Sequence, residues 1–237
     1  MTGRIYRPEQ GASLLELPEI GRLHIGMKSE KGYPMSIDYF RPTGKYAQLF
    51  TAALGERPQT IQVIFPDDDP AKVCREEYTY RDDKGALVAR GDGRVFEVWD
   101  GKRYAPYSVD QYPDIAAQIA ARNPTKRGAE NWDVVLTLRF IVPAVRGVVG
   151  VWQFSTKGRA SSVRNIRDSF DAVQTMRGTV TQTVFDLSVQ FAKSNKPGVS
   201  SRYPVVSLVA NDHRIAELQK AIEPTQKISL MLPSSKK

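Results

Sequence analysis

Two histidines, His24 and His213, and one cysteine, Cys74, are the only side chains of the chain whose ordinary pKa lies near neutrality or that offer a thiol. Acid–base and nucleophilic catalysis draw on such groups held beside a partner. Neither histidine has a Ser or Cys in a recognisable arrangement near it, and one Cys with two distant His cannot make four tetrahedral zinc ligands. Carboxylates offer two more candidates. Asp67-Asp68-Asp69 has the residue type that holds Mg²⁺ for phosphoryl transfer, the chemistry of a nuclease. Such sites gather carboxylates from several elements, whereas three consecutive acids between Pro66 and Pro70 read as a solvated turn. Glu76 and Glu77 sit on a strand-like run and point to opposite faces, so they make no acid–base pair. Gly91-Asp92-Gly93 falls between two strand-like runs, where a turn explains it better than a phosphate loop. The expectation is a protein with no catalytic residue, no metal and no cofactor.

The remaining chemistry is cationic. From Arg139 to Arg167 the chain carries six basic residues (Arg139, Arg146, Lys157, Arg159, Arg164, Arg167) and no acidic one. Residues 1–138 hold 19 Lys+Arg against 20 Asp+Glu, and residues 139–237 hold 15 against 6, so the net +8 is confined to the second part. Such segregation points to a polyanionic partner, nucleic acid first of all. Arg164 and Arg167 precede Asp168 and Asp171 at i,i+4, a spacing at which ion pairs neutralise a helix face. Lys157 and Arg159 flank Gly158 with no acid near them in sequence. Lys193 and Lys196 border the Ser194-Asn195-Lys196-Pro197-Gly198 turn, and Arg202 stands beside Tyr203. Loop cations among small residues suit phosphate contacts, which position a nucleic acid without reading its sequence. Trp152 beside the Lys157 loop is a candidate for base stacking, although a Trp in this setting reads first as core.

Behind these residues, 237 residues at 41% hydrophobic suffice for a sizeable core. The single cysteine excludes a disulfide framework and fits a reducing compartment. Residues 1–7 lack the apolar run of a secretion signal. The most apolar stretch, residues 140–152, is broken by Pro143 and Arg146 and is too short to span a bilayer. A soluble, cytoplasmic protein is expected.

Strands dominate the first part: residues 20–25, 60–65 and 94–99, with 76–81 and 86–90 flanking the Asp82-Asp83-Lys84-Gly85 turn. Residues 49–54 make a helical turn stopped by Gly55. Ile115 and Ile119 mark a helix over 114–122 that Asn123-Pro124 ends. The polar linker 125–131 is the candidate boundary between a β-rich region, 1–130, and a basic α+β region, 131–237. In the latter, 134–142 and 148–154 read as strands. Ser161 or Ser162 caps a helix with an apolar face of Val163, Ile166, Phe170 and Val173, stopped by Gly178. Residues 183–191 alternate with a period of two, as only a strand does. Residues 202–209 form a further strand, a helix follows Asn211 or Asp212 with Ile215, Leu218 and Ile222, and 227–232 closes the series. The fold class expected is α+β, a largely antiparallel sheet with two or three helices packed on it.

The chain resembles the phage recombination directionality factor family, which switches large serine integrases from integration to excision. The resemblance runs over Leu136-Thr137-Leu138, the phrase Gly150-Val151-Trp152-Gln153-Phe154-Ser155-Thr156-Lys157-Gly158, residues 161–166, and Arg202-Tyr203-Pro204-Val205-Val206-Ser207-Leu208. Residues 20–26 with Pro34, Asp38-Tyr39-Phe40-Arg41 with Thr43, the 68–70 turn, and Gly91-Asp92-Gly93 with Val98-Trp99 add to it. It thins between residues 102 and 131, where relatives carry cysteines and this chain has none, so it implies no zinc site here. What it does imply is a non-enzymatic regulator that docks on a DNA-bound integrase. The alternative is a subunit coating single-stranded DNA or RNA in a CRISPR-type effector or a phage recombination complex, a task that suits an antiparallel sheet with basic loops.

Overall fold

The computed structural model describes residues 17–122, 132–193 and 201–211, with the backbone alone for Arg122, Arg159 and Ala160. In chain order the described elements are β1 (Glu19–Lys28), β2 (Pro34–Thr43), α1 (Ala47–Leu54), β3 (Thr60–Val63), α2 (Pro70–Val73), β4 (Cys74–Arg81), β5 (Leu87–Gly91), β6 (Val95–Trp99), β7 (Tyr104–Ser108) and α3 (Ile115–Arg122). They continue with β8 (Asp133–Phe140), β9 (Val151–Thr156), a π-helical turn (Arg159–Val163), α4 (Arg164–Arg177), β10 (Phe185–Lys193) and β11 (Arg202–Ala210).

Eight strands form one sheet in the order β2-β1-β9-β8-β4-β5-β6-β7, and three form a second in the order β11-β10-β3. Paired backbone bonds between Ile64 and Ile141, at 3.0 and 2.8 Å, link the two. The molecule is mostly β with few and small helices, and the large sheet is mixed, because β1 runs parallel to β9. The expected largely antiparallel pairing holds at every strand pair but β1–β9, while the expected α+β class is corrected to a mostly β fold with a mixed large sheet. A parallel neighbour arrives through a long crossover, which no local turn signal announces. The 1–130 and 131–237 regions are interleaved: β8 and β9 lie between β1 and β4, and β10 pairs with β3. The change in charge near residue 139 therefore follows no boundary between cores.

One face of the large sheet is covered by the second sheet and the helices. Leu136, Leu138 and Phe140 of β8 are fully buried there. Phe65 packs its ring edge-on against Phe170 of α4 at 5.0 Å and Phe185 of β10 at 5.2 Å. Trp152 meets Phe50 at 5.0 Å and lies over Gly21, where a Cβ would collide with the indole ring. A smaller cluster forms where α3 lays Ile115 and Ile119 on Tyr80, Ala89 and Phe96, with Trp132 tilted against Tyr80. None of the described helices is long and apolar enough to cross a membrane.

α4 follows its sequence: Ile166, Phe170 and Val173 are buried at the 3–4 spacing, and Gly178 ends it at φ +73° with its N–H donating to Gln174 O at 2.8 Å. Its start differs. Val163 N–H donates to Gly158 O at 3.0 Å, one residue beyond the α-helical partner, so a π turn precedes the helix. Ser162, expected as a cap, instead accepts from Val206 N–H at 2.9 Å and ties the turn to β11. Strands β2 and β7 and the one-turn α2 had no expectation in the sequence. The helix and strand expected over 212–232 lie outside the described residues.

Candidate partner-binding face

Alternation decides what the large sheet presents on the side that the described residues leave open. On β4 the outward residues are Arg75, Glu77, Thr79 and Arg81, on β8 Asp133, Val135, Thr137 and Arg139, and on β9 Gln153 and Ser155. The register aligns them in rows. Arg22 stands opposite Gln153, which stands opposite Arg139; Ser155 faces Thr137, which faces Arg75; Asp133 faces Thr79, which faces Arg90. Thr137 and Ser155 share a hydroxyl hydrogen bond at 3.1 Å in the middle of the floor.

Together with Lys157 and residues of α2 these rows line a groove of about 640 Å³ that contains seven Lys or Arg, one His and two Glu, and no Phe, Tyr or Trp. Five cations around it are held by carboxylates. Arg22 bonds Glu19 at 2.6 Å, Lys72 bonds Asp67 at 3.0 Å, Arg75 bonds Glu77 at 3.3 Å, Arg90 bonds Glu97 at 2.7 Å, and Lys157 bonds Asp133 at 2.5 Å. Arg139 and Arg81 are different. Each donates to a backbone carbonyl, Leu17 O at 3.2 Å and Gly85 O at 2.9 Å, and neither has a carboxylate partner among the described residues. His24 hydrogen-bonds Thr43 Oγ1 at 3.0 Å. Its burial, then the charges of Arg41 and Arg22, push its pKa below the usual imidazole value, so it is neutral at neutral pH.

The cations singled out in sequence do not form one surface. Arg139 and Lys157 stand on the open face. Lys157 has a partner after all, since Asp133 lies beside it across the strands, so the expectation that its charge is uncompensated is corrected. Arg164 and Arg167 belong to α4 on the covered side. Arg164 pairs with Asp168 at 3.4 Å as the spacing predicts, whereas Arg167 pairs with Glu76 and with Asp168, not with Asp171. Those carboxylates raise the Arg167 pKa, Asp168 contributing most. Lys193 and Arg202 face each other at the end of the β10–β11 pair, both exposed. The Arg159 side chain and Lys196 lie outside what is described. Trp152 is 1% exposed in the main core and presents no ring face to a base.

The acids of the 67–69 turn are structural. Asp69 caps α2 by accepting from Ala71 N–H at 2.9 Å. Asp68 accepts from Val180 N–H at 2.7 Å, Thr179 Oγ1 at 2.8 Å and Thr181 N–H at 3.0 Å, pinning the segment after α4. Burial raises its carboxyl pKa, but these three donors together outweigh that and hold it below the usual carboxylate range. The turn expected to be merely solvated is thus a clamp. Cys74 is buried and its thiol is pushed up to about 12, chiefly by desolvation, so it is no nucleophile. Among the described residues no three His, Cys, Asp or Glu side chains gather as metal ligands.

Arg22, His24, Arg75, Arg81 and Arg90 were not anticipated as site residues. They come from the region of balanced charge, and the signal was the period-two run of polar residues through 75–81, 133–139 and 153–157. A family model described as Gp3-like, recombination directionality factor-like, matches residues 20–211, a span that begins in β1 and ends just after β11. No curated protein and no solved structure matches the chain.

Proposed function

Because the chain belongs to the Gp3-like family of recombination directionality factor-like proteins, we propose that it is a non-enzymatic regulator that binds a DNA-bound serine integrase and shifts it from integration toward excision. The family itself is one of phage recombination regulators. The observation that carries the reading is the extent of the match, which takes in every described strand of both sheets rather than one motif. The site chemistry supports it. The open face offers fixed cations and hydroxyls, and the one thiol is buried. An effector of this kind acts by binding one arrangement of the synaptic complex more tightly than another, and about 5.5 kcal/mol of difference suffices to move a balance from 1:99 to 99:1.

The test is recombination in vitro with a large serine integrase encoded in the same genome. One plasmid carries the two original sites and a second carries the hybrid sites left by integration. The expected result is that the purified chain starts recombination between the hybrid sites and suppresses it between the original ones. Unchanged direction at saturating chain, with the integrase active, overturns the reading.

A further inference from the structure

We infer that the open face of the large sheet is a docking surface for an acidic segment of a partner protein, with Arg139, Arg75 and Arg22 as its anchors. The inference deepens the reading above, in that the recombinase is the protein expected to present such a segment.

Three features of the face carry it. The first is its charge. The groove lining has seven Lys or Arg against two Glu, and five of the seven are Arg, whose planar fork engages a carboxylate through two hydrogen bonds. The second is how those cations are held. Arg139 is half-buried and donates to the carbonyl of Leu17, which orients its charge, and no carboxylate partners it among the described residues. Arg22 and Arg75 are held by single carboxylates on their own strands, 57% and 45% exposed, and can exchange those exposed pairs for a partner's at little net cost. The third is reach. The rows from Arg22–Gln153–Arg139 to Asp133–Thr79–Arg90 lie three two-residue steps apart along the strands, about 20 Å at 3.3–3.4 Å per residue. That length fits about 13 residues of helix or about 6 of extended chain.

The same observations disfavour a nucleic acid on this face. Glu19, Glu77 and Asp133 interrupt the cations of the floor, which suits carboxylates spaced by neutral residues better than a continuous line of phosphates. No aromatic ring lines the groove, so unstacked bases have no platform.

Two fluorescent probes separate the outcomes: a 13-residue peptide of glutamates interspersed with alanines, and a 20-base-pair duplex of arbitrary sequence. Each is titrated by anisotropy with the full chain, with Arg22→Ala/Arg75→Ala, with Arg139→Ala, and with Arg164→Ala on α4 as the control on the covered side. The expected result is peptide binding that weakens at least tenfold in the double variant and in Arg139→Ala, is unchanged in Arg164→Ala, and exceeds duplex binding throughout. Thermal melts confirm that the variants fold, and the exposed double variant keeps the test decisive if Arg139→Ala does not. Preference for the duplex, with a log–log salt slope of several, makes the face a phosphate track and overturns the inference. So does peptide binding that the double variant leaves intact, or no binding of either probe. The recombination assay fails or succeeds independently: peptide binding without any change in recombination direction removes the regulatory reading and leaves the docking face standing.

Discussion

The two faces of the eight-stranded sheet are built from the same strands and obey opposite rules. On β8 the covered face carries Val134, Leu136, Leu138 and Phe140, all buried, while the alternate residues, Asp133, Val135, Thr137 and Arg139, are only partly buried on the other face. Stability resides on the first face, and the proposed binding role falls to the second. A buried side chain there answers to shape, and a polar one opposite answers to whatever approaches. Substitutions on the covered face should therefore cost folding and spare nothing, and those on the open face should spare folding and cost binding.

The largest effect is expected at Phe170, which is fully buried and packs against Phe65 at 5.0 Å. Phe170→Ala should destabilise the chain by about 3–5 kcal/mol, read as a shift in the denaturant midpoint with its slope unchanged. Gly21→Ala comes next. The added methyl meets the indole of Trp152 and the carbonyl of Thr43, and a well-packed site of this kind resists overfilling by about 1–3 kcal/mol. A melt indistinguishable from the wild type would mean that the Trp152 face of the core is looser than its packing indicates.

Asp68 tests the same division at the rim of the covered face. Asp68→Ala leaves Val180 and Thr181 N–H without their acceptor and should cost about 1–3 kcal/mol. The carboxyl is held below its unfolded value, so its stabilisation is complete above about pH 4 and is lost as pH falls through the folded pKa. Stability measured from pH 6 to pH 2.5 should thus fall less steeply in the variant than in the wild type. Identical acid limbs would remove Asp68 from the account.

These sites differ in how legible they were beforehand. α4 was visible because helical spacing, a glycine stop and buried apolar residues coincide within one segment. β10 was visible because Phe185, Leu187 and Val189 alternate without interruption. β2 was not, since Pro34 and Pro42 bracket it and a bulge between His24 and Gly26 breaks the pairing pattern it shares with β1. The parallel β1–β9 contact has no local trace at all. The candidate face failed for the same reason: it is made of registers. Asp133 reaches Lys157 from 24 residues away and Glu76 reaches Arg167 from 91, so local charge counts misjudged both cations. What the sequence did display was the polar half of each alternation, and that half marks a face without saying which strands adjoin.

The smallest effect on stability is expected at Lys157, and it separates two meanings of the open face. Lys157 is half-exposed and its pair with Asp133, though short, sits in solvent. Lys157→Ala should cost no more than about 1 kcal/mol, and a double-mutant cycle with Asp133→Ala should return a coupling of a few tenths to about 1 kcal/mol that shrinks as salt is raised. On binding, the pair must open before Lys157 can serve a partner, so its replacement should weaken the acidic peptide less than replacement of Arg139, whose charge no carboxylate holds among the described residues. If Lys157→Ala instead matched or exceeded Arg139→Ala, the anchor of the face would lie at the β9 end of the groove, beside Gly158 and the π turn. A cycle that showed strong coupling and no salt dependence would place the pair with the structural contacts of the covered side, and the clean division between the two faces would fail at that corner.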